Sequence, residues 1–175
     1  MEQNNKWSSA AMDGLILSVI TIIYSLIILV FSLKGFIVAL PWIIKFAASN
    51  YLLYYFMKKY SSKFENISYG ASFNYGVIVS MFSAIICACF SFFNLTILFP
   101  DSLATTVEQM QQVMAAQSMN QDQEAIFGKW VERLPEISLF ANLIYYTLYG
   151  VFASSIIANF TKKTDPFAGK SSQEF

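Results

Sequence analysis

Residues 70–100 read GASFNYGVIVSMFSAIICACFSFFNLTILFP and carry no charged side chain. About 20 apolar residues at 1.5 Å rise cross a hydrocarbon core of roughly 30 Å. This run is long enough to span with some to spare, so it predicts a transmembrane helix over residues 72–99. Its residues are also sorted about the axis. Gly76, Ser80, Ser83, Cys87, Ser91 and Asn94 are spaced 4, 3, 4, 4 and 3 apart, which keeps them within a sector of about 80°. Lipid offers no hydrophobic drive for helices to associate, so close packing and interhelical hydrogen bonds must supply it. The stripe is therefore expected to be a helix-packing seam. Its functional alternative is the lining of a polar path or ligand groove.

Three further spans are expected, at residues 14–33, 41–60 and 137–160. The first has its own small-residue stripe, Gly14, Ser18, Thr21 and Ser25, which predicts pairing with the third span. In the fourth, Thr147, Gly150, Ser154 and Ala158 share a face, and Asn142 lies on another face from which it can bond across helices. Asp13 is positioned to cap the first span. Pro41 suits the first turn of the second, and a helix over 36–57 bent at Pro41 is the alternative. Cleavage of the first span as a signal peptide is not expected, because its apolar core is too long and no Ala-x-Ala site follows.

Lys45 is the only charge expected well inside a span. An intramembrane ionisable group is a functional candidate by default. It lies about one turn, roughly 6 Å, from Pro41, so its stem also has the reach to snorkel to the interface. Ser49 is one turn further along the same face.

The segment 101–136 is the one sizeable extramembrane piece. Leu103, Val107, Met110 and Met114 repeat at helical spacing, and Phe127, Trp130, Val131 and Leu134 gather on one side of a second helix, with Asn120 or Asp122 as its cap. Pro135 is expected to end it. These helices either dock a partner or lie along the bilayer surface. The fold class is thus all-α, a polytopic four-helix membrane domain with an external helical segment between helices three and four.

Basic residues set the orientation. Seven of them (Lys6, Lys58, Lys59, Lys63, Lys162, Lys163, Lys170) fall on one side against three on the other (Lys34, Lys129, Arg133). Both termini (residues 1–13 and 161–175) are therefore expected in the cytoplasm.

Chemistry is conspicuously thin. The 175 residues include no histidine, and acidic and basic residues balance at 11 each. The commonest general base is missing, and there is no phosphate-cradling glycine loop. Zero net charge argues against nucleic acid. Cys87 and Cys89 point about 160° apart on a helix, so they can neither bridge nor, without neighbouring ligands, hold a metal. No catalytic, cofactor-binding or metal residue is expected, and no enzyme activity. The expected partners are the lipid bilayer and another membrane protein or a second copy of the chain.

Several stretches resemble one family. Ile67-Ser68-Tyr69-Gly70-Ala71-Ser72-Phe73, leading into the third span, is similar to its Ile-Ser-aromatic-Gly-x-x-Phe lead-in. Phe99-Pro100-Asp101 is similar to its Pro-Asp exit. The Met- and Gln-rich stretch over 108–123 and the Gly150 span ending in Lys162-Lys163 also fit. The family is the four-helix membrane family of Bacteroidota known as domain of unknown function 4199, and the likeness runs from about Gly14 to Lys163. It implies a four-helix fold in the inner membrane and no activity. Two functional readings follow: an accessory or assembly subunit of a membrane complex, or a small oligomeric transporter or channel component in which Lys45 attracts an anion.

Overall fold

A computed structural model of the chain describes residues 2–31, 35–98, 104–105, 107–110, 112, 126, 128–131 and 133–163, with side chains described from residue 6 and, after the first helix, from residue 37. The elements are α1 (Glu2–Val30), a 3-10 turn (Gly35–Val38), α2 (Ala39–Ser61), α3 (Tyr69–Phe93) running into a π segment (Asn94–Leu98), and α4 (Leu134–Thr161). Among the described residues no strand forms; a single antiparallel bridge joins Ile67 to Lys163.

Among the described residues, three stretches are long and apolar enough to cross a membrane: Lys6–Val30, Tyr69–Leu98 and Leu134–Thr161, of 25, 30 and 28 residues. All exceed the roughly 20 residues that a hydrocarbon core requires. Helix α2, at 23 residues, is long enough but does not meet the same apolarity requirement. Lys45, Asn50, Lys58, Lys59 and four tyrosines between 51 and 60 dilute it.

The helix boundaries depart from the sequence expectation in instructive places. Helix α1 does not begin at Asp13. It starts at Glu2, because residues 2–13 contain no proline or glycine to stop it, so Asp13 is an interior residue and caps nothing. Pro41 is the third residue of α2, where its missing N–H costs no bond, and the 3-10 turn before it accounts for residues 35–38. Pro135 does not close a preceding helix. It is the second residue of α4, where its fixed φ is already helical. Most of the segment 101–136 lies outside the described residues, including Leu103, Met114, Asn120, Asp122 and Phe127. Residues 107–110 and 128–131 are helical.

The chain divides into two compact units, Met1–Ile86 with Tyr145–Phe175, and Cys87–Ile144. The first contains α1, α2, the leading two-thirds of α3 and the trailing part of α4. Its core joins Leu17 of α1, Leu53, Phe56 and Met57 of α2, Tyr75, Ile78 and Val79 of α3, and Ala153, Ile157 and Ala158 of α4. Small polar residues are buried with them: Ser18, Ser72, Ser80 and Ser154 are at most 5% exposed. Large apolar side chains such as Ile23, Ile43, Ile44, Leu148, Phe152 and Phe160 face outward. That inversion of the soluble pattern suits a lipid surround, where packing surfaces are built from small residues.

In the second unit, Asn142 on α4 donates to Ser91 Oγ on α3 at 3.0 Å and to Ser138 Oγ at 3.2 Å. Cys87 is buried and Cys89 exposed, as opposite faces of one helix require. Asn94 is half-buried, and its Oδ1 has no hydrogen-bond partner among the described residues.

Candidate functional site

Close backbone approach positions the site. A Cβ built on Gly14 of α1 would lie 2.7 Å from Phe82 Cβ and from the Val79 carbonyl oxygen of α3, and 3.2 Å from Ser83 N. On α3, Gly76 faces Met57 Sδ of α2 and Ser154 Oγ of α4, each 2.7 Å from its added Cβ. Gly150 of α4 rests on Ser80. Each glycine admits a neighbour that any side chain would displace. The stripes of α1, α3 and α4 thus meet on α3: Gly14 at Ser83, Ser154 at Gly76, and Gly150 at Ser80. Ser25 and Thr147 are half-buried, and Ser25 returns its hydroxyl to the Thr21 carbonyl at 3.0 Å.

These contacts leave a cleft of about 110 Å³ in the first unit. Its inner wall is Thr21 of α1, Ser80 and Ser83 of α3, and Gly150 of α4; Lys45, Ser49 and Asn50 of α2 line one side, and Tyr145, Tyr146 and Tyr149 of α4 the other. Lys45 is therefore brought together with four of the stripe residues. Its ammonium stands 5.0 Å from the Tyr24 ring centroid and 5.3 Å from that of Tyr146, within the reach of cation–π attraction. Asn50 Nδ2 donates to the Phe46 carbonyl at 2.8 Å and to Tyr149 Oη at 2.5 Å. That leaves the Tyr149 hydrogen to serve another acceptor. Ser49 Oγ and Ser80 Oγ, both buried atoms on the wall, have no hydrogen-bond partner among the described residues. An unmade bond of this kind costs about 1–3 kcal/mol. A cation and hydroxyl donors converge here, and among the described residues the lining holds no carboxylate.

A second cluster went unread in the sequence. Asp13, 7% exposed, accepts a hydrogen bond from Tyr75 Oη at 2.5 Å. Ser9 Oγ lies 3.2 Å from the same hydroxyl. The Tyr75 ring stacks on Tyr60 of α2 with centroids 3.9 Å apart and planes 3° from parallel. The available signal was the absence of any helix breaker before Gly14. It carries the helical register back through Asp13 and Ser9, four residues apart and so on one face.

No curated protein and no solved structure gives a significant match to the chain. The model of one family, described as Protein of unknown function (DUF4199), matches residues 13–163, a range that takes in both units' helices, the stripes, Lys45 and Asp13. The chain belongs to that family.

Proposed function

We propose that this is a non-catalytic protein of the bacterial inner membrane, crossing it four times with both termini in the cytoplasm, that serves a larger membrane assembly by binding an anionic group in the Lys45 cleft. The single observation that carries the reading is the convergence of Lys45 with the unpartnered hydroxyls of Ser49 and Ser80 on one cavity. A protonated lysine and hydroxyl donors match a phosphate or carboxylate, and charge-assisted bonds of that type are the strong ones.

The fourth crossing is supported by register. Asn50 of α2 bonds Tyr149 of α4, and eleven residues on Ser61 Oγ donates to the Thr161 carbonyl at 2.5 Å. Helix α2 therefore runs alongside a membrane-competent helix for about 16 Å. The orientation is supported by the gathering of basic residues at one end. Lys6 bonds Asn74 Oδ1 at 2.7 Å, Lys163 Nζ bonds the Phe64 carbonyl at 3.0 Å, and Lys58, Lys59 and Lys63 lie at the same α2–α3 junction.

The test is a melting series on purified protein in neutral detergent with inorganic phosphate, octanoate or short-chain phosphatidylglycerol. A ligand at about 100 times its Kd stabilises by about 2.7 kcal/mol. At least one probe is expected to raise the Tm of the native chain and to leave Lys45→Met unmoved. If none does, the reading is wrong. The cleft also supports a second reading, a small oligomeric transporter or channel component. That reading requires anion flux in proteoliposomes, lost in Lys45→Met.

A further inference from the structure

Resting on the cleft reading above, we propose that the anionic group is the head of a membrane amphiphile that enters sideways from the lipid between α2 and α4. The cleft has a polar floor and an apolar mouth. Ser80 is 5% exposed, Ser83 8% and Thr21 9%, whereas Trp42, Phe46 and Tyr145 on the rim are 51%, 48% and 60% exposed. The rim residues belong to the same outward face as Ile43, Leu148 and Phe152, the face that lipid covers. Tyr145 lies eleven residues into α4, about 16 Å along its axis, so the mouth opens along the span and not at a helix end.

Lys45 lies six residues into α2, about 9 Å from its start. A phosphate or carboxylate carried on an acyl chain reaches that depth with its tail still in hydrocarbon. Head group and water-borne anion alike must shed hydration there; the amphiphile differs in that its tail keeps it in the bilayer beside the mouth. Size limits what enters. Pockets for drug-sized ligands hold about 300–1,000 Å³, so a cleft of about 110 Å³ admits one small head group and leaves the rest of the molecule outside. Trp42 and Phe46, stacked with centroids 5.7 Å apart, provide an apolar ledge for the chain that leads out.

Trp42 on the rim reports directly. A Trp7→Phe, Trp130→Phe variant retains Trp42 as the sole tryptophan. It is reconstituted in phosphatidylcholine vesicles containing a minority of either brominated phosphatidylglycerol or brominated phosphatidylcholine. The expected result is stronger quenching of Trp42 by the anionic lipid, with that excess lost in Lys45→Met, kept in Lys45→Arg, and unchanged by inorganic phosphate in the buffer. Equal quenching by the two lipids, combined with a Trp42 response to inorganic phosphate, would overturn lateral entry while leaving an anion-binding cleft in place. An excess that phosphate reverses counts against it in the same way. An excess that persists in Lys45→Met would reject the site as its origin. If neither lipid nor phosphate distinguishes the parent from Lys45→Met, the cleft reading fails too. An unchanged circular-dichroism spectrum and ligand-free Tm of Lys45→Met show that its loss of the excess is not a failure to fold.

Discussion

Ser80 on α3 lies so close against Gly150 on α4 that a Cβ added to the glycine would overlap the serine's own Cβ. The contact sets the spacing of the two helices, and it also places the Ser80 hydroxyl on the cleft wall. Gly150→Ala is therefore expected to force the helices apart at a cost of about 1–3 kcal/mol, the range for overpacking. Gly70→Ala on the same α3, where an added Cβ meets nothing within 4 Å, is expected to be neutral or slightly stabilising. Unfolding of both variants in mixed micelles checks the pair. Equal stabilities would show that the close approach is not what holds these helices.

The buried Asp13 carboxyl takes a hydrogen bond from Tyr75. Removing the donor with Tyr75→Phe keeps the ring stacked on Tyr60 but leaves the carboxyl short of a partner, expected to cost about 1–3 kcal/mol. Adding Asp13→Ala to Tyr75→Phe should cost less than the two single changes summed, because both act on one bond. Strict additivity in that cycle would deny the coupling. Tyr69→Phe, which loses only an exposed bond to the Ser155 carbonyl, serves as the control.

Asn142 and Ser91 form a cross-helix bond in the second unit. Bonds of this kind within membranes average about 0.6 kcal/mol. Asn142→Leu is thus expected to destabilise only slightly, and Ser91→Ala in that background to add nothing. A loss several times larger would mean that Asn142 does more than join two helices.

Topology is open to direct labelling. On a Cys87→Ala, Cys89→Ala background, single cysteines replacing Ser62 or Lys163 should resist a membrane-impermeant maleimide on intact cells and react after permeabilisation. Glu108→Cys should react on intact cells. Labelling of Ser62→Cys and Glu108→Cys under the same conditions would rule out four crossings.

Much of the architecture is written in local pattern. The uncharged run over 70–98 and the small residues at helical spacing in α1, α3 and α4 are properties of neighbouring positions along one helix. Backbone hydrogen bonding in lipid leaves such runs a single regular form. That is why the helices, and the faces bearing Gly14, Gly76 and Gly150, are legible in the residues alone. Asp13 was misread because its role depends on where a helix begins, a boundary that local signals define poorly. Tertiary structure alone decided that Lys45 shares a cavity with Ser49, Ser80 and Thr21, residues up to 59 positions apart in the chain. It alone decided that Tyr75 reaches back to Asp13. Such meetings depend on the rotation and height of one helix against another, which arise from the packing of all four at once and which no single helix carries in its own sequence.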